Sequence, residues 1–270
     1  MVGVMESVPA LIGFGEAGST FARAAGWPAR AFDMDPARAA VMAECGVTAC
    51  ADRAEALAGA SLVLCLVTAD AALDAARECA PFLAPGALWC DMNSVAPETK
   101  RAAADVIEAA GAHYLDVAVL APVDPARMAV PLLLAGAAAA RGERLLSAAG
   151  FTHIRSVGGD VGRASAIKMI RSVMVKGIEA LTAEMMLAAQ AAGVTDEVLA
   201  SLDASERAKP WAERADYNIE RMTTHGLRRA AEMEESAKTL RSLGVEPVMT
   251  EGTVIRQRQM AGKTFERSSV

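Results

Sequence analysis

The feature that most constrains this chain is a rhythm. From Pro9 to about residue 160, short apolar runs alternate with Ala-rich helical stretches, and then the alternation stops. Runs at Pro9–Gly13, Ala29–Asp33, Val47–Cys50, Leu62–Val67, Ala87–Asp91, Tyr114–Ala118, Leu132–Ala135 and Ile154–Val157 read as strands. Helical stretches near 16–25, 36–44, 53–58, 70–80, 96–110 and 137–149 lie between them. Strand and helix in alternation imply βαβ units and a mostly parallel sheet. After "VGGDVG" (157–162), Arg163–Ala192 runs without proline and with a single internal glycine. That is room for a helix of about 45 Å at about 1.5 Å per residue. Everything beyond it reads helical, with breaks expected near Gly193, Pro210–Trp211, Gly244–Pro247 and Gly252. The expected organisation is an α/β domain over 1–162 and an all-α domain over 163–270, led by one long helix.

The stretch "LIGFGEAGSTFARAAG", from Leu11 to Gly26, sits at the first strand-to-helix joint. Gly13 permits a tight turn, Gly15 lets the backbone approach a pyrophosphate, and Gly18 lets helix and strand pack closely. Phe14, Glu16 and Ala17 complete the turn, whose helix-start N–H groups carry partial positive charge toward a phosphate. Asp33 follows twenty residues after Gly13, at the end of the next strand. Its carboxylate would accept hydrogen bonds from adenosine ribose hydroxyls and repel a 2′-phosphate. NAD is therefore favoured, and NADP stays open. A plain βα turn with a surface aspartate is the alternative; strand, loop, helix and acid in this order favour a dinucleotide cradle, and so a Rossmann-type α/β domain.

Composition removes other classes. The chain has 270 residues, is 53% hydrophobic but only 4% aromatic, and carries a formal net charge of −6. No basic surplus exists to neutralise nucleic-acid phosphates, so no nucleic-acid partner is expected. No run of about 18 apolar residues suggests a membrane span, and no signal-like segment opens the chain. The cysteines, Cys45, Cys50, Cys65, Cys79 and Cys90, form no CxxC pair and read as buried hydrophobes of a reducing, cytoplasmic protein. His113, His153 and His225 are too scattered to suggest a metal site.

On the long helix, Lys168, Arg171, Ser172 and Lys176 form a polar stripe, with Ile167, Met169, Ile170, Val173, Met174 and Ile178 around it. A solvated face of an amphipathic helix explains this as well as a functional role does. "HGLRRAAEMEE" places His225, Arg228 and Arg229 at i, i+3 and i+4, where guanidinium forks suit a carboxylate or phosphate, or simply a charged surface helix.

Taken together, these segments resemble the β-hydroxyacid dehydrogenase superfamily, which includes 3-hydroxyisobutyrate and 6-phosphogluconate dehydrogenases. The similarity is carried by the glycine loop, "CLVTADAALDAA" from Cys65, "DMNSVAPETKRAAADVIEAAGAHYLDVAV" from Asp91, and "VGGDVGRASAIKMIRS" from Val157. The second half is most similar to a bacterial 6-phosphogluconate-dehydrogenase-like branch. The resemblance implies that Lys168 is the general acid/base; on the helix read by itself, Ser172 one turn on is placed to hold the substrate oxygen in line, a catalytic role. The resemblance also implies that Leu66, Val67 and Thr68 line the cofactor's ribose side, and that Asn93 and Ser94 lie beside the nicotinamide, with Ser94 also touching substrate.

Two departures stand out. Leu120, Ala121 and Pro122 replace the Ser-Gly-Gly that presents donors to a substrate carboxylate, and Arg171 and Ser172 replace asparagines after the lysine. The substrate contacts implied are Ser94, Leu120, Ala121, Arg171, His225, Arg228 and Arg229. The implied activity is hydride transfer between a nicotinamide cofactor and a small anionic hydroxy acid or its carbonyl counterpart. An imine reductase of the same architecture and a dinucleotide-binding regulator without turnover are the alternatives. A long apolar helix and a Met-rich helical domain imply a homodimer.

Overall fold

The structure, a computed structural model, describes residues 8–205 and 210–264. All eight expected strands form: β1 (Ala10–Ile12), β2 (Arg30–Phe32), β3 (Thr48–Ala49), β4 (Leu62–Cys65), β5 (Leu88–Asp91), β6 (His113–Val119), β7 (Leu132–Ala135) and β8 (Ile154–Ser156). Between them run α1 (Glu16–Ala25), α2 (Arg38–Glu44), α3 (Arg53–Leu57), α4 (Ala72–Cys79), α5 (Pro97–Ala109) and α6 (Ala139–Ala148). The strands make one sheet in the order β3-β2-β1-β4-β5-β6-β7-β8. Every pairing is parallel except β6 with β7. The first six strands have the doubly wound order of dinucleotide-binding folds, with β1 and β4 adjacent where the winding reverses.

Both faces of the inner strands are buried, as parallel sheets require, while the edge strands β3 and β8 are more open. Leu11, Phe21, Leu64, Leu88, Cys90, Leu115 and Val117 pack on one side with α1 and α6. There the Phe21 and Phe151 rings meet edge-on at 5.0 Å, and Trp27 Nε1 donates to the Ala149 carbonyl at 2.9 Å. Ile12, Val63, Cys65, Trp89, Ile107 and Tyr114 form the core of the other side. Alternation along β5 and β6 thus sends Cys90, Leu115 and Val117 one way and Trp89 and Tyr114 the other.

The remaining helices are α7 (Arg163–Ala192), α8 (Thr195–Ser205), α9 (Trp211–Ser242) and α10 (Val248–Met260). The breaks at Gly193, Pro210 and Gly244–Pro247 form as the sequence predicts, but Gly252 lies inside α10. A lone glycine costs a helix only about 1 kcal/mol. On α10, Thr250, Val254 and Gln257 are buried and hold the helix across that position. α9 and α10 pack closely: a Cβ on Gly226 would stand 2.4 Å from the Gln257 carbonyl oxygen.

The chain divides into two compact units at Ser172/Val173, ten residues beyond the expected boundary at 162. The first turns of α7 belong to the first unit because Asp116, within the sheet, accepts hydrogen bonds from Gly162 N and Ser165 N at 3.1 Å each. No helix among the described residues is long and apolar enough to cross a membrane.

Candidate active site

The glycine turn leaves β1 at Gly13, whose φ of +89° is open to glycine and strained for other residues. A Cβ there would lie 2.5 Å from the Leu66 carbonyl oxygen, so β1 and the end of β4 touch backbone to backbone. Gly18 is similarly tight, 3.0 Å from the Gly13 carbonyl oxygen. Gly15 differs: a Cβ there would meet no atom of the described residues within 4 Å. It is the N-cap of α1, and no side chain among the described residues caps that helix. Space in front of an uncapped helix N-terminus is what an anionic ligand needs to reach the free N–H groups. The Phe14 side chain is buried in the core, and its N–H donates to Asp33 Oδ2 at 2.6 Å. Asp33 therefore braces the turn, and its Oδ1 also accepts from Asp35 N at 2.8 Å.

Around this turn opens a cleft of about 690 Å³. Gly13, Gly15, Glu16, Ala17, Asp33, Leu66, Val67 and Thr68 all line it. Phe14, Gly18, Asn93 and Ser94 are not in its wall, the first two because they face the core and the turn itself. The wall is acidic beyond Asp33, with Asp35, Asp70, Asp74 and Glu78. Its two arginines are paired: Arg38 Nε lies 3.5 Å from Asp35, and Arg53 bonds Glu78 while its guanidinium sits 4.8 Å above the Phe32 ring. Cleft volume, uncapped helix and the Asp33 carboxylate in its wall fit a dinucleotide.

A second cluster forms where β5 ends. Lys168 Nζ donates to Ser94 Oγ at 2.5 Å, joining the first turns of α7 to the loop after β5. Arg171, one turn on, donates from a terminal nitrogen to the Leu120 carbonyl at 3.1 Å. Ser172 is turned back on its own helix, its hydroxyl donating to the Lys168 carbonyl at 2.9 Å. In the 120–122 turn, Leu120 N–H is taken by the Pro131 carbonyl at 2.9 Å, Pro122 has no N–H, and Ala121 is exposed. His225, Arg228 and Arg229 fall on α9 in the second unit. His113 opens β6 and His153 precedes β8, both exposed.

Beneath the Ser94 loop lies a group that reading the sequence missed. Asp91 and Asp116 are register partners on β5 and β6, and both are buried. Like charges directly opposite each other destabilise a sheet unless countered. Lys100, fully buried on α5, counters them: its Nζ donates to Asp91 Oδ1 at 2.9 Å and to the Asp91 carbonyl at 2.6 Å, and stands 3.5 Å from Asp116 Oδ1. Tyr114 Oη donates to Asp91 Oδ2 at 2.6 Å, and Asn93 N to Asp91 Oδ1 at 2.9 Å. Burial and the Asp91 carboxylate push the Tyr114 phenol far above its ordinary range, so it stays a donor. Two acids inside apolar strands were the available signal, with a lysine three, four and seven residues ahead of buried Ala103, Ala104 and Ile107.

Residues 9–151 match the model of the NAD binding domain of 6-phosphogluconate dehydrogenase, and residues 189–260 match a domain of unknown function, DUF1932. Among solved structures, a conserved hypothetical protein from Sinorhizobium meliloti 1021 is 37% identical, with 94% of this chain and 88% of that chain covered and a TM-score of 0.63. The conserved protein MTH1747, described as structurally similar to 3-hydroxyacid dehydrogenases, is 27% identical over 94% of this chain and 96% of that one, with a TM-score of 0.60. An imine reductase from Myxococcus stipitatus in complex with NADP+ shares the fold at a TM-score of 0.77 and 19% identity, over 94% and 93% of the two chains. The chain belongs to the family built on the NAD binding domain of 6-phosphogluconate dehydrogenase, a family of NAD(P)-binding dehydrogenases and reductases. Its architecture, this domain followed by DUF1932, is that of the 3-hydroxyisobutyrate and 6-phosphogluconate dehydrogenase-like proteins.

Proposed function

We propose that the protein is an NAD-dependent oxidoreductase moving hydride between nicotinamide and a small, anionic hydroxy acid or its carbonyl counterpart, with Lys168 as general acid/base. The observation that carries this reading is the 2.5 Å bond between Lys168 and Ser94, in the same compact unit as the Gly13–Gly18 turn. When bound, the nicotinamide ring supplies the hydride acceptor at its C4. The N–H groups opening α1 hold the pyrophosphate, and Asp33 accepts from the adenosine ribose. Lys168 takes the proton of the substrate hydroxyl as the carbinol carbon loses hydride, and returns it in the reverse direction. Ser94 holds the amine in place, Ser172 one turn on holds the substrate oxygen in line, and Arg171 counters the substrate's negative charge, with His225, Arg228 and Arg229 as further candidates. NAD is favoured over NADP because a 2′-phosphate would meet an acidic wall whose two arginines are already paired.

The test is a dehydrogenase assay at 340 nm with NAD+ or NADH against small hydroxy acids, their carbonyl forms and cyclic imines. Turnover of hydroxy acids by wild type but not by Lys168→Met supports the reading; full activity of that variant overturns the role of Lys168. The 120–122 turn favours a second reading. With Leu120 N–H engaged and Pro122 lacking one, that turn offers little to a carboxylate, which suits an imine substrate. Turnover of cyclic imines alone selects it.

We infer further that two copies pair through the helical part of the chain. Ile170, Val173, Met174, Ile178 and Leu181 on α7 are all exposed, a stripe a monomer rarely leaves to water. Gel filtration at micromolar concentration tests this, and a monomer overturns it.

A further inference from the structure

We propose that Lys100 is a positioning residue that ties the Ser94 loop to the first turns of α7 and so sets the place of Lys168. This rests on the oxidoreductase reading above. The contacts form a closed circuit in the first unit. Ser94 follows Asn93, whose N–H is held by Asp91 Oδ1; Asp91 is held by Lys100; Lys100 faces Asp116; and Asp116 Oδ2 holds Gly162 N and Ser165 N, at the start of the helix that returns Lys168 to Ser94.

Each half of the circuit has its own carboxylate. Asp91 fixes the loop and Asp116 fixes the helix, and the two acids repel each other across adjacent strands. Lys100 is the cation between them, and among the described residues Asp116 Oδ1 has no hydrogen-bond partner, so its nearby counter-charge is the ammonium 3.5 Å away. A buried charge whose partner is removed either relocates or draws in water. Without Lys100, loop and helix lose their common anchor, while the glycine turn at the end of β1 keeps its own contacts to Leu66, Phe32 and Asp33.

The two regions are separated by ligands that differ at one end. On the reading above, ADP-ribose would engage only the glycine turn and Asp33, whereas the nicotinamide end of NADH would also meet the Ser94 loop. Titration calorimetry with both, on wild type, Lys100→Met and Tyr114→Phe, reads the difference. Lys100→Met is expected to weaken NADH about tenfold and to reduce the blue shift of bound NADH emission, with ADP-ribose affinity within about twofold of wild type. Tyr114→Phe removes one donor to Asp91 and keeps the ion pair; it is expected to shift NADH in the same direction by about threefold, and it carries the test if Lys100→Met does not fold. Equal changes for both ligands, or none for either, overturn the positioning role whatever happens to the melting temperature. A wild-type protein that binds neither ligand overturns the dinucleotide reading, and this inference with it.

Discussion

Lys168 and Ser94, 74 residues apart in sequence, are joined by a 2.5 Å hydrogen bond that brings an amine to the end of β5. Ser94 is exposed and Lys168 half-buried, so the pair stands where a ligand can meet it. Replacing Lys168 with Met is expected to lower turnover by about 10²- to 10⁴-fold, the usual yield of a general acid/base. NADH affinity should stay within about threefold, since the glycine turn is untouched. Steady-state kinetics on the best substrate of the panel, with an NADH titration, check both. A turnover loss below about threefold would remove the lysine from the mechanism.

Gly13 and Gly15 should separate folding from binding. Gly13→Ala places a methyl group against the Leu66 carbonyl at positive φ, and is expected to cost about 3 kcal/mol or more. Gly15→Ala meets open space at a φ of −77°, so stability should change by less than about 1 kcal/mol. Its NADH affinity, however, should fall about tenfold or more as the methyl occupies the phosphate approach. Denaturant melts and NADH titrations on the two variants suffice. Equal NADH binding by wild type and Gly15→Ala would speak against the cradle.

Asp33 has two tasks, bracing Phe14 N–H and setting the charge at the ribose. Asp33→Asn keeps an acceptor and loses the charge. The ratio of NADH to NADPH affinity should therefore fall about tenfold, with NADPH still weak because Arg38 and Arg53 remain paired with Asp35 and Glu78. Fluorescence titration with both nucleotides reads this directly; an unchanged ratio would assign Asp33 to bracing alone.

In the second unit, Glu184 accepts from Thr250 Oγ1 at 2.6 Å, Thr250 N at 3.0 Å and Met249 N at 2.7 Å, at the start of α10. Burial alone would raise its carboxyl, but these three donors outweigh it and hold the value below the ordinary 4.5. A depressed native value means the carboxylate stabilises the fold at neutral pH. That contribution fades as pH falls below 4.5 and through the lower native value. Glu184→Gln is expected to cost about 1–2 kcal/mol at pH 7, with the gap from wild type closing in acid. Urea melts across pH test this; a gap that widens on acidification would reverse the assignment.

Much of this was legible beforehand because period and punctuation act locally. The strands around Leu62, Leu88 and Leu132, the helix from Arg163 and the glycine turn needed only alternation, Ala-rich runs and a spacing of twenty residues to Asp33. The unit boundary and the buried ion cluster needed tertiary contacts. Gly162 looked like a stop, yet Asp116 accepts from both Gly162 N and Ser165 N and so holds the start of α7 to the sheet. Nothing local singles out Lys100, because the sequence does not show that Asp91 and Asp116 become neighbours. Gly252 shows the reverse: a local breaker overruled by buried neighbours on either side.

The pairing of Asp91 with Asp116 also bears on how the chain avoids misassembly. Sliding β6 by one position along β5 would rotate Asp116 into the apolar layer of Phe21, Leu64 and Leu88 and away from Lys100. Hydrophobic strands such as these tolerate many alignments at similar energy, but an ionised group stranded in hydrocarbon is prohibitive. The acid pair therefore works as a proofreading mark, penalising a one-residue slip between these two strands.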